Sequence, residues 1–182
     1  MVDLSSVAYI QQEQLKTLIP FQELNAYLKT KQRGLYWIWT AFTFDELAAM
    51  EYQPQEGSRH VNMAYLINQR IDFQGICKVK TNNFQVIYNG IGGYRNQLKP
   101  GFGLRERIRQ EFHCNNPRTG TLNIINTNLD TDQFAVSFFN FDDSIHHEVL
   151  PFLKEENAYS KYASEIEKLW RLQYGHPILC RH

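Results

Sequence analysis

Apolar residues recur at helical spacing through Ile10, Leu15, Leu18 and Ile19, behind Ser5 and Ser6, which can cap a helix start. This predicts helix within residues 5–31. Pro20 should split the stretch in two, because proline cannot continue the helical hydrogen-bond ladder. Phe21, Leu24, Tyr27 and Leu28 then form the inward stripe of the second helix. At Arg33-Gly34 the pattern breaks. Residues 34–44, GLYWIWTAFTF, are dense in aromatic and branched side chains and predict a strand. Residues 45–77 are less regular. Pro54 and Gly57 mark a loop, and residues 61–71 predict a helix. The run KVKTNNFQVIYN, residues 78–89, predicts a hairpin turning at Thr81-Asn82-Asn83. A corner with Gly90, Gly92 and Gly93 follows. Leu104, Ile108 and Phe112 share one face of a short helix, and residues 121–126 and 133–141 read as strands. Residues 144–153 and 156–174 read as helices, the second ended by Gly175 and kept from resuming by Pro177. This order of elements predicts an α/β (α+β) domain around a small central sheet.

Composition narrows the class. A chain of 182 residues with 43% hydrophobic and 14% aromatic content can bury one domain's core. No apolar run approaches the roughly 20 residues of a membrane span, and the N-terminus does not read as a signal peptide. Cys77, Cys114 and Cys180 are odd in number and form no CxxC pair, which argues against a disulfide framework or a zinc site. An intracellular, cytoplasmic setting is expected. The formal net charge is zero, which by itself argues against a nucleic-acid binder. The charge is uneven, however. Lys78, Lys80, Arg95, Lys99, Arg105, Arg107, Arg109 and Arg118 stand against only Glu106 and Glu111 in residues 78–118, and the balance reverses in residues 130–167. Such a segment can present a local phosphate-facing surface. Charge clusters taken alone more often face solvent or each other.

Three positions carry candidate chemistry. Tyr36 lies on the first predicted strand, Tyr88 ends the hairpin before the glycine corner, and Arg107 sits on the short helix beyond it between Arg105 and Arg109. A glycine corner lets backbone approach a ligand, and arginines beside it offer phosphate contacts. A lone tyrosine is more often a core aromatic, and such arginines more often a solvated face. Glu167, on the last helix, can pair with Arg171 one turn on or act as a metal ligand, and Glu165 has a similar claim.

Together these residues resemble the GIY-YIG nucleases. Gly34-Leu35-Tyr36 matches the first motif, Tyr88-Asn89-Gly90 the second with Asn in place of Ile, Leu104-Arg105-Glu106-Arg107-Ile108 the arginine helix, and Glu167 followed by Pro177 the glutamate helix and its turn. The resemblance spans residue 34 to the C-terminus. The sequence departs from the family in a long segment between the tyrosine motifs, in Glu111 where a histidine is usual, and in Cys180 where an asparagine is usual.

The resemblance implies a single domain over residues 1–182, with a helical extension at 1–33, an insertion at 45–77 and a mainly antiparallel sheet flanked by helices. It implies an endonuclease for double-stranded DNA, similar to stand-alone type II restriction endonucleases. Double-strand cleavage would need a homodimer or higher assembly. Glu167 would hold Mg²⁺ or Mn²⁺, Arg107 would contact the phosphate, and Tyr36 or Tyr88 would act on the attacking water. Lys78, Lys80, Arg95, Lys99, Arg105 and Arg109 would bind DNA. A less specific nicking or repair nuclease and a catalytically inactive nucleic-acid-binding module are the alternatives. The mechanism requires all four central residues to meet in one concavity, within roughly 10 Å.

Overall fold

The computed structural model describes residues 2–93 and 103–181. Its centre is a five-stranded antiparallel sheet of order β1-β5-β2-β4-β3. The strands are β1 (Ile19–Pro20), β2 (Gly34–Thr40), β3 (Lys80–Thr81), β4 (Phe84–Gly92) and β5 (Phe134–Asn140). Six α-helices flank it among the described residues: α1 (Leu4–Leu15), α2 (Leu24–Tyr27), α3 (Phe44–Ala48), α4 (Met63–Arg70), α5 (Leu104–Phe112) and α6 (Ala158–Tyr174). This is an α+β fold with a central antiparallel sheet and flanking helices. No helix among the described residues is long and apolar enough to cross a membrane.

β2 is buried along its whole length because it has a neighbour on each side and a helical layer on each face. Its alternation therefore divides two apolar clusters instead of core and solvent. Tyr36 and Ile38 face the first cluster with Leu104, Ile108 and Phe112 of α5 and Met63 and Ile67 of α4. Leu35, Trp37 and Trp39 face the second with Val7 and Ile10 of α1 and Ala163, Ile166 and Trp170 of α6. Fully burying one such large apolar side chain contributes about 1.5–3 kcal/mol.

Several sequence expectations change on folding. Asp3, not Ser5 or Ser6, caps α1, accepting from Ser6 N at 2.8 Å. The N-terminal stretch is not wholly helical: Ile19 and Pro20 pair with Val136 and Ala135 as an edge strand, where proline's missing donor does no harm. Tyr27, expected inward, is 56% exposed, since α2 lasts only one turn. Residues 121–126 are not a strand. A 3-10 turn covers Ile124–Thr127, bounded by Asn123 and Asn128 in left-handed conformations that break extension. Residues 144–153 hold two 3-10 turns, Ser144–His146 and Pro151–Lys154, in place of a helix. The hairpin turns where expected, with Asn82 at φ 50°.

One irregularity controls the site. Ile38 opposes Tyr88 while Trp39 opposes Val86, so Ile87 is an extra residue in β4. Strict alternation from Phe84 and Val86, both on the second face, would put Tyr88 there too. The bulge shifts the phase, and Ile87 and Tyr88 both pack on the first face beside Tyr36.

Candidate functional site

Tyr36 and Tyr88 lie on neighbouring strands of one face with ring centroids 6.1 Å apart. The space for Tyr36 depends on Gly90: a Cβ there would stand 2.6 Å from the Tyr36 hydroxyl oxygen. Gly92 does the same for α5, since a Cβ would stand 2.6 Å from Leu104 Cα. The glycines after Tyr88 thus permit close packing of a ring and a helix against β4.

α5 delivers two charged groups to this face. The Tyr36 hydroxyl donates to Glu111 Oε1 at 2.7 Å, and the Arg107 guanidinium pairs with the same oxygen at 3.0 Å. Glu111 Oε2 accepts from Leu122 N at 3.0 Å, and the Tyr88 hydroxyl lies near enough for the carboxylate's charge to act on it. Glu111 and Tyr36 are both 0% exposed. Arg107 further donates to Gln110 Oε1 at 3.0 Å and Gly120 O at 3.4 Å. A carboxylate so deep in the fold survives because it has a cationic partner and several donors. Glu111 was legible only as a departure from a motif. Its spacing of one turn from Arg107 was the signal that the two could meet.

Burial, and then the charge of Glu111, push the Tyr36 and Tyr88 hydroxyls well above the usual tyrosine range. Of the two tyrosines considered for acting on water, Tyr36 is fully buried with its hydroxyl on Glu111, and Tyr88 is the one that lines an open concavity. Burial also pushes the Glu111 carboxyl up, opposed by Arg107 and the hydroxyl donors.

Glu167 comes from the opposite layer. α6 packs on the second face through Ala163, Ile166 and Trp170, while Glu167, one position on, is half-buried beside the β4 margin. Glu167 Oε1 accepts from Arg171 at 2.9 Å, and Arg171 Nε donates to Asn89 Oδ1 at 2.9 Å. Asn89 also engages Cys180, whose Sγ lies 3.3 Å from Asn89 O and Oδ1. Asn89 and Cys180, the two positions that depart from the motifs, therefore touch each other, and Asn89 holds the arginine that holds Glu167. Burial pushes the Glu167 carboxyl up, with Arg171 opposing. Glu165 is exposed.

Tyr88 and Glu167 line one concavity of about 510 Å³, whose other polar walls are Arg59, Arg171 and Arg181. Tyr36 and Arg107 do not line it, so the four residues expected to meet in one concavity do not all reach it. Those two stand behind Tyr88, and Arg107 reaches the concavity's wall through Gly120 O. Tyr88 joins the two halves, since the charges of both Glu111 and Glu167 act on it. The expected DNA-binding residues are dispersed. Lys78, Lys80 and Arg109 are exposed, Arg105 is ion-paired with Glu106 at 3.0 Å, and Arg95 and Lys99 lie outside the described residues. The cysteines are three buried free thiols. Comparison with family models, curated proteins and solved structures finds no match to this chain.

Proposed function

We propose that the chain is a metal-dependent endonuclease that hydrolyses phosphodiester bonds of double-stranded DNA, as its resemblance to the GIY-YIG nucleases implies. The observation that carries this reading is the position of Tyr88, between the buried Tyr36–Arg107–Glu111 cluster and a concavity with one carboxylate among three arginines. A phosphodiester fits such a concavity: the arginines complement its charge, and a lone carboxylate there repels an anion unless a cation lies between them.

The residues fit a hard cation that brings its own water. No cluster of three or more His, Cys, Asp or Glu side chains suited to a metal occurs among the described residues. Mg²⁺ needs only one or two carboxylates together with phosphate and water. Glu167 Oε1 is held by Arg171, and Oε2 has no partner among the described residues. Glu167 would hold Mg²⁺ or Mn²⁺, which when bound offsets charge developing on the phosphate and the leaving oxygen.

The chain's own groups do the rest. Arg59, Arg171 and Arg181 draw and orient the phosphate. Glu111 fixes Arg107 and Tyr36. The Tyr88 hydroxyl takes a proton from the attacking water as it gives its own to Glu111, so no phenolate accumulates. Glu111 ends the step neutral, and its upward-shifted carboxyl suits that acceptor role. Cutting both strands requires two copies of the chain, so the working form is a homodimer or larger.

A second reading has its own support. The Glu167–Arg171 ion pair at 2.9 Å occupies the proposed ligand, as in a module that binds DNA without cutting it. Incubation with supercoiled plasmid and Mg²⁺ separates the two. Discrete fragments support a restriction-type enzyme and open circles a nicking enzyme. Intact plasmid with retarded mobility supports the inactive module, and intact unbound plasmid overturns both readings.

A further inference from the structure

The proposed active-site concavity does not end at Glu167. Arg181 walls both it and a second depression of about 600 Å³, which Arg70, Phe73, Ile76 and His176 also line. Phe73 and Ile76 in turn wall a third depression of about 390 Å³, which reaches Lys78 and Lys80. Shared wall residues place the three side by side along one surface, an interrupted trough. On a chain of zero net charge it gathers Arg59, Arg171, Arg181, Arg70, Lys78 and Lys80 against only Glu167 and Asp72. Lys78 and Lys80 are exposed, with no carboxylate partner among the described residues. Midway stands Phe73, 62% exposed, an aromatic ring that the core does not use.

Cations spaced along a groove with an exposed aromatic between them suit a polyanion that carries flat apolar groups along its length, which is what a single nucleic-acid strand is. Duplex DNA keeps its base faces stacked internally and has no use for Phe73. We infer that the trough holds an unpaired DNA strand running from the scissile phosphate past Arg181, with a base stacked on Phe73 and phosphates at Lys78 and Lys80. The substrate is then a duplex with a single-stranded extension, or one whose strands open near the cut. This rests on the nuclease reading and specifies its substrate.

The test is fluorescence anisotropy in chelator, comparing a blunt duplex with the same duplex carrying an oligothymidine extension. The wild-type protein should bind the extended duplex roughly ten-fold more tightly, within the range of one base–aromatic stack. Phe73→Ala should remove most of that preference while leaving blunt-duplex affinity and the circular dichroism spectrum unchanged, because the ring is outside the core. Lys78→Ala with Lys80→Ala should lower the salt slope for the extended duplex by about one to two. Equal wild-type affinity for both duplexes, or a preference untouched by Phe73→Ala, overturns the trough and leaves the nuclease reading standing. No affinity for either DNA overturns both.

Discussion

The two faces of the sheet bury polar groups in opposite ways. On the face covered by α1 and α6, five neutral side chains are bonded in a chain, and Trp37 Nε1 has no partner among the described residues. Trp39 Nε1 donates to Ser137 Oγ at 2.8 Å, Ser137 to Gln14, Gln14 to Gln11 at 3.0 Å, and Trp170 Nε1 to Gln11 at 2.7 Å. On the face covered by α5 the groups are Arg107 and Glu111 with two tyrosines. Neutral bonds give modest net stability and tie helices to a sheet. A buried ion pair rarely gains over apolar packing, so its presence asks for a purpose other than stability. The neutral network ties α1 and α6 to β2 and β5. The charged one lies directly behind Tyr88 and the arginine-lined concavity.

Breaking each network should expose that difference. The largest effect is expected from Glu111→Ala, which leaves Arg107 without its partner: about 3–5 kcal/mol of stability by chemical denaturation, with cleavage lost. Glu111→Gln preserves volume and should keep the fold while removing the proton acceptor. A variant that cleaves normally would end that role. Glu167→Gln should slow cleavage by roughly a hundred- to a thousand-fold with DNA affinity kept, the scale of losing one electrostatic stabiliser. Glu165→Gln should be nearly silent, and the reverse order would reassign the ligand.

On the neutral face, Gln14→Ala should cost about 1–3 kcal/mol by stranding the hydroxyl of Ser137, and leave the cleavage rate per folded molecule unchanged. A rate loss there would show that the two faces are coupled. The pH response sharpens the contrast. Glu111 and Glu167 both have carboxyls raised above the ordinary 4.5, chiefly by burial. Raised acids favour the folded state most below their unfolded value, and lose that contribution as pH rises through the folded one. The proposed cleavage needs them charged, so activity should fall on acidification at a pH above 4.5 while circular dichroism stays native. An acid limb at or below 4.5 would contradict the assignment. A small effect on stability alone is expected at α3, which serves neither network. Its Thr43 accepts from Glu46 N in a capping box, and Thr43→Ala should cost about 1 kcal/mol with no change in cleavage.

Much of the fold was readable because it is written in local period. The span of α5 and the turn at Asn82 follow from residues within a few positions of each other. Elements failed to match where local signals were outweighed. The apolar run near residue 121 reads as a strand, yet Asn123 and Asn128 hold left-handed conformations and no strand among the described residues pairs with it. The site was half readable. Tyr36, Tyr88, Arg107 and Glu167 can be named from motif order, whereas Glu111 reads as a lost histidine and Asn89 and Cys180 as lost matches.

The sequence by itself determined the α+β class, the main strands and the residue types available for chemistry, because side-chain period and turn residues act over short range. Tertiary structure alone decided which of those residues meet. The extra residue at Ile87 turns Tyr88 toward Tyr36, a consequence of pairing with β2 that no count along β4 reveals. Glu111 gains its place from Tyr36, 75 positions earlier, and Asn89 reaches Arg171 across 82. Such contacts depend on how separate elements pack, which is why a motif could name the tyrosines but not show which of them lines the concavity.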